Sequence, residues 1–171
     1  MTRAVAKRDA AGGRLPALTL AIGLLGGILL VVAEFSTIAA VEIPGRTCRE
    51  VADLKVVDRC RLSGFERHGG ALLLLGALAA VMAYGAGRRR SRPAAAALIA
   101  LSLVTLALAL LGDLPEANEV GAIGLTYEGA TGKAGPGLVL ELAAGLLLAS
   151  AGGLGLSTRP TASPRAARDH P

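Results

Sequence analysis

The chain has 171 residues, 53% of them hydrophobic, and a formal net charge of +5 at pH 7. A soluble domain of that length interleaves apolar residues with charge. Here they are gathered into four long blocks, which excludes an ordinary water-soluble globule. With no Trp, two Tyr and two Phe, the chain also lacks the stacking aromatics of a surface for single-stranded nucleic acid, so no nucleic-acid partner is expected.

Residues 1–14 carry Arg3, Lys7, Arg8 and Arg14 among Ala and Gly, and read as a disordered N-terminus. The apolar blocks follow at 15–33, 71–86, 94–111 and 137–156. A hydrocarbon core about 30 Å thick needs about 20 residues of helix. With their flanks the blocks give spans at residues 15–41, 69–87, 94–112 and 137–156, leaving loops at 42–68 and 113–136 and a disordered tail at 157–171. The predicted fold is an all-α membrane protein, a four-transmembrane-helix bundle with a small disulfide-closed extracytoplasmic cap. The first apolar core exceeds the usual signal-peptide length of about 7–15 residues, so it is expected to remain as an uncleaved span. Its apolar run continues through Ile38 and Val41, which carries the predicted helix to residue 41.

The first loop holds the only two cysteines, Cys48 and Cys60. In an oxidising compartment they are expected to pair, closing a 13-residue loop and adding roughly 3 kcal/mol on the chain-entropy account. Two thiols and the nearby His68 do not make a four-ligand metal set, so neither a metal nor a cofactor is expected. Residues 49–59 mix both charge signs with Val51, Leu54, Val56 and Val57, and their pattern leaves a short helix and a short strand equally open. Gly69, Gly70 and Gly87 lengthen the second span at no polar cost. Arg88, Arg89, Arg90 and Arg92 then form a compact topology anchor, with anionic lipid heads as their natural contact.

In the third span Ser102 and Thr105, like Thr19 in the first, are expected to bond their own helix carbonyls. Asp113, Pro115 and Glu116 resemble a helix start with a capping box, so a short helix over 114–120 is predicted with Asp113 as its cap. The glycine-rich remainder of that loop has no Gly-Lys-Ser/Thr and matches no phosphate-binding loop. Small residues at helical spacing, Gly23/Gly27, Gly76/Ala80 and Gly145/Ala149/Gly153, predict close helix packing within the bundle first and a homo-oligomer face second.

Orientation follows from the basic residues. One side carries eleven Lys and Arg with only Asp9 and Asp169 as acids, and the other carries seven among many carboxylates. The positive-inside rule therefore predicts a multi-pass protein of the plasma membrane with both termini cytoplasmic. The Ala-, Leu-, Gly- and Arg-heavy composition suggests a GC-rich bacterial genome.

Glu34, Asp113 and Glu141 are the candidate binding residues. Glu34 lies about 28 Å along the first helix and Glu141 about 6 Å into the fourth, so all three fall at one outer level. Ionisable groups in spans face the interior and pair. Arg46, Arg67, Lys133 and His68 are the candidate partners. No nucleophile, base or metal constellation is visible, so no catalytic residue is assigned and no enzyme is expected.

Four spans, inside termini, a larger first outer loop with Cys48 and Cys60 and a smaller second one: this layout resembles the claudin-type four-helix proteins. The chain has no Trp, hence no Gly-Leu-Trp ahead of its cysteines. The likeness is one of architecture, and no residue or function is transferred by it. The expected function is that of a non-enzymatic accessory or assembly protein acting through helix packing and outer loops. Its partners would be the bilayer, another copy or another membrane protein. The alternative is a small cation- or proton-coupled transporter or channel using Glu34 and Glu141.

Overall fold

A computed structural model describes residues 2–42, 61–119 and 128–157, with side chains from residue 14 onward. Helix α1 runs Thr2–Glu34, strand β1 Thr37–Glu42, β2 Arg61–Ser63 and helix α2 Gly64–His68. Helix α3 covers Ala71–Arg88, and α4 covers Arg92–Ala107. The last continues through a π-helical segment, Leu108–Asp113, into α5, Leu114–Asn118; β3, Thr131–Ala134, then leads into α6, Pro136–Ser157. Cys48, Cys60 and Arg46 lie outside the described residues, as does the 49–59 segment. No disulfide occurs among the described residues.

Four helices are long and apolar enough to cross a membrane: Arg14–Glu34, Ala71–Arg88, the continuous Arg92–Asn118, and Pro136–Ser157. They expose Leu25, Ile28, Leu74, Val81, Leu103 and Leu146, as a surface solvated by lipid would. Each helix runs antiparallel to its neighbours. α1 packs between α3 and α6, and α4 packs against α6 and α3. Residues 2–14, expected to be disordered, are helical.

Close approach along α1 and α3 depends on glycine. A Cβ on Gly27 would lie 2.8 Å from the Gly76 carbonyl oxygen, and one on Gly76 would lie 2.7 Å from the Gly27 carbonyl oxygen. The expected pairing of these small-residue stripes is therefore a backbone-to-backbone contact. Along α6 the stripe differs from the expected one. Gly145 packs on Leu106, but a Cβ on Gly153 would meet nothing. The contact face instead passes through Ala144, Leu148, Ala151, Gly152 and Gly155.

The largest departure from the sequence reading is the cap. α1 stops at Glu34 rather than residue 41, and Thr37–Glu42 becomes the centre of a three-stranded antiparallel sheet, ordered β2-β1-β3. Ser36 ends the helix: its N–H bonds the Ala33 carbonyl and its hydroxyl donates to the Val32 carbonyl at 2.7 Å, satisfying acceptors that a helix end leaves orphaned. The β-branched Thr37, Ile38 and Val41 then suit a strand. β1 pairs Ala39 with Leu62 and Ala134, and a bulge separates that register from Thr37 opposite Ser63. Beneath the sheet Ile38, Ala109, Ala117 and Leu138 form a second small core, apart from the main core of the bundle.

Gly76→Val should therefore cost about 2 kcal/mol of stability through overpacking, whereas Gly153→Ala should cost nothing. Unfolding of both variants in detergent micelles checks the difference.

Candidate functional site

The polar chemistry of the bundle is concentrated at the end that carries the sheet. Glu34, Asp113 and Glu141 are all fully buried there, so the structure places the three predicted carboxylates at one level. Two of them are satisfied, in different ways, and the third is not.

Glu34 caps a helix other than its own. The Gly70 N–H donates to its Oε1 at 2.6 Å and the Leu72 N–H to its Oε2 at 2.9 Å. Gly70 is the residue before α3 and has no side chain with which to cap it. The positive end of the α3 dipole and two otherwise unpaired amides thus hold the carboxylate. Among the described residues, none of the expected basic partners is used. Gly69 and Gly70 are not part of the span: both have positive φ, 60° and 97°, and they make the tight turn from α2 into α3 that glycine alone enters freely.

Asp113 is not a helix cap. Its side chain makes no cap hydrogen bond, because the chain before it is already helical through the π-helical segment and leaves no free N-terminus. It faces the interior instead. Arg67 Nε approaches its Oδ1 at 3.4 Å and His68 Nε2 its Oδ2 at 3.1 Å. Arg67 also donates to the Gly112 carbonyl and pairs with Glu116 at 3.3 Å. Lys133, the other described candidate, is spent on the exposed Glu42 at 2.8 Å, a surface pair of little energetic weight.

Glu141 has neither solution. Both of its carboxylate oxygens are buried, and neither has a hydrogen-bond partner among the described residues. One oxygen, one Asp113 oxygen and one His68 ring nitrogen all lie within 4.8 Å of one another. The Thr105 hydroxyl is likewise buried without a partner, contrary to the expected bond to its own helix. Thr19 does make that bond, to the Leu15 carbonyl at 3.0 Å.

His68 is delivered by α2, a five-residue helix with strong local signals. Ser63 and Glu66 form a full capping box: the Ser63 N–H donates to Glu66 Oε2 at 2.9 Å, and the Glu66 N–H donates to the Ser63 hydroxyl at 3.3 Å. Gly64 packs against the last carbonyls of α1, with a Cβ there only 2.6 Å from the Ala33 oxygen. Phe65 stacks on Phe35 at 6.3 Å between ring centres, both rings exposed. By sequence alone His68 reads only as a partner for thiols or carboxylates. The Ser-Gly-Phe-Glu capping box at 63–66 was the available signal that it sits on an ordered element.

No protein-family model, curated protein or solved structure matches the chain.

Two outcomes follow. Glu34→Ala, which orphans two amides, should cost about 2 kcal/mol, while Glu141→Gln should cost little or nothing because that carboxyl has no hydrogen-bond partner among the described residues to lose. Chaotrope unfolding of the two variants in micelles separates them. The Ser63 N–H and hydroxyl hold the Glu66 carboxyl below its ordinary 4.5. The capping box is therefore intact above that value and lost as pH falls through the lower folded value. Hydrogen exchange at the α2 amides should accelerate there, and an unchanged rate would contradict the role given to Glu66.

Proposed function

We propose that the chain is a non-enzymatic accessory or assembly protein of the plasma membrane, with both termini cytoplasmic and the sheet-bearing cap outside. The observation that carries this reading is the close backbone approach between the helices. Gly27 meets Gly76, Gly87 meets Pro16 and Leu20, and Gly152 meets Ala95 and Ile99, each at backbone contact distance. Helices packed this closely in lipid are held by dispersion and shape, and favour a rigid scaffold over a conduit. The orientation rests on Arg88, Arg89, Arg90 and Arg92 at the end opposite the cap. Pairing of Cys48 with Cys60 outside the membrane belongs to the same proposal.

The cap is then the working surface, with the exposed Phe35–Phe65 stack beside the membrane boundary, where another membrane protein or a second copy would meet it. The alternative is a small cation- or proton-coupled transporter or channel using Glu34 and Glu141. Glu34 is engaged in capping α3, which leaves Glu141 as its only unengaged carboxylate among the three.

Purified protein in liposomes should pass neither protons nor monovalent cations. A photocrosslinker at Phe65 in native membranes should give a discrete adduct, with the partner named by mass spectrometry, whereas one at the buried Leu98 should give none. Flux that Glu141→Gln abolishes would replace this reading with the transporter.

A further inference from the structure

We propose that His68, Asp113 and Glu141 form a binding site for a divalent transition-metal ion. The three ligands come from three elements, the short helix α2, the end of the π-helical segment and the first turns of α6, so the site exists only in the folded bundle. His68 Nε2 and Asp113 Oδ2 are 3.1 Å apart, and all three donor atoms lie within 4.8 Å of one another. Donors on one tetrahedral ion with bonds of about 2.1 Å stand about 3.4 Å apart. Small side-chain rotations close the set.

A gathering of acids does not by itself make a site. The second observation is Glu141, fully buried with both oxygens lacking any hydrogen-bond partner among the described residues. A carboxylate has only acceptors, so in this apolar setting it calls for a donor or a cation. The nearby guanidinium cannot serve, because Arg67 is committed to Asp113, Gly112 and Glu116.

Charge and ligand chemistry choose the ion. With Asp113, Glu116 and Glu141 ionised on binding, three negative charges would face one on Arg67. A divalent ion with neutral His68 balances them, and a monovalent ion does not. An imidazole among the ligands turns preference from Mg2+ and Ca2+ toward Zn2+, Fe2+ or Ni2+, with Mn2+ tolerated through the carboxylates. Three protein ligands leave a fourth position open. Arg67 would orient Asp113 from behind, as outer partners of metal ligands do. Occupancy would tie α2, and with it the Phe35–Phe65 edge of the cap, to the third and fourth membrane helices.

The test uses full-length, chelator-treated protein in nanodiscs, titrated with Zn2+ by calorimetry and with Mn2+ by electron paramagnetic resonance. A single ion per chain is expected. Glu141→Gln and His68→Gln should each weaken Zn2+ binding by about 10–100-fold or more, with Glu141→Gln melting like the wild type when metal is absent. His68→Gln carries the test if Glu141→Gln does not fold. Cys48→Ser/Cys60→Ser and the exposed-pair variant Glu42→Gln should bind as the wild type does. Absence of binding, binding unaffected by both site variants, or binding lost with the cysteines would overturn the proposal. The first result would mean that a proton, shared with Asp113, is what satisfies Glu141.

Discussion

The cap end is organised around the bond between the Glu34 carboxylate and the first amides of α3. A carboxylate at the end of one membrane helix would be costly in hydrocarbon, and so would the unpaired amides at the start of the next. Joining them satisfies both at once. The joint also fixes much of the local path. It requires α1 to end where Glu34 can reach α3, and it requires the chain to arrive at Gly70 from below. The left-handed Gly69–Gly70 pair makes that turn. α2 is thereby held against the last carbonyls of α1, where only Gly64 leaves room.

That arrangement accounts for how the other two carboxylates differ. With α2 in place, Arg67 and His68 point at Asp113, and Arg67 spans onward to Glu116. That guanidinium is then consumed. Glu141, on α6, meets the same imidazole and carboxylate without a hydrogen-bond partner among the described residues. The orphaned group is the residue left over after the local donors have been distributed, and its position beside a histidine gives it chemical interest.

Much of this was legible in the sequence, for reasons that differ by residue. The spans were readable because length and apolarity are one-dimensional properties, and the depth of Glu34 and Glu141 followed from rise per residue. The end of α1 was not. Thr37, Ile38, Ala39, Ala40 and Val41 are apolar enough to continue a membrane helix, and their strand character depends on pairing with Leu62 and Lys133, far away in the chain. Asp113 misled for a related reason. Asp-Leu-Pro-Glu is a helix-start pattern, but a start needs a break before it, and the π-helical segment supplies continuity instead. Among the small-residue stripes, Gly23 and Gly27 pack closely and Gly153 does not, because an Ala- and Gly-rich helix offers several stripes and only the neighbouring helices select one.

The two ends of the bundle differ in kind. At the basic end the contacts are small and apolar, Gly87 on Leu20 and Gly155 on Ala95, and the arginines stand outside them. At the cap end buried acids, a histidine and an arginine share the space between three elements. Of these elements α2 is the shortest, five residues long, held by its capping box, the left-handed Gly69, the aromatic stack and the packing of Gly64 on α1. His68 takes its position from these contacts. A group bound by Glu141 beside His68 would bear on α2, the element whose Phe65 forms part of the exposed face of the cap, which places the buried chemistry and the outward surface on one short helix.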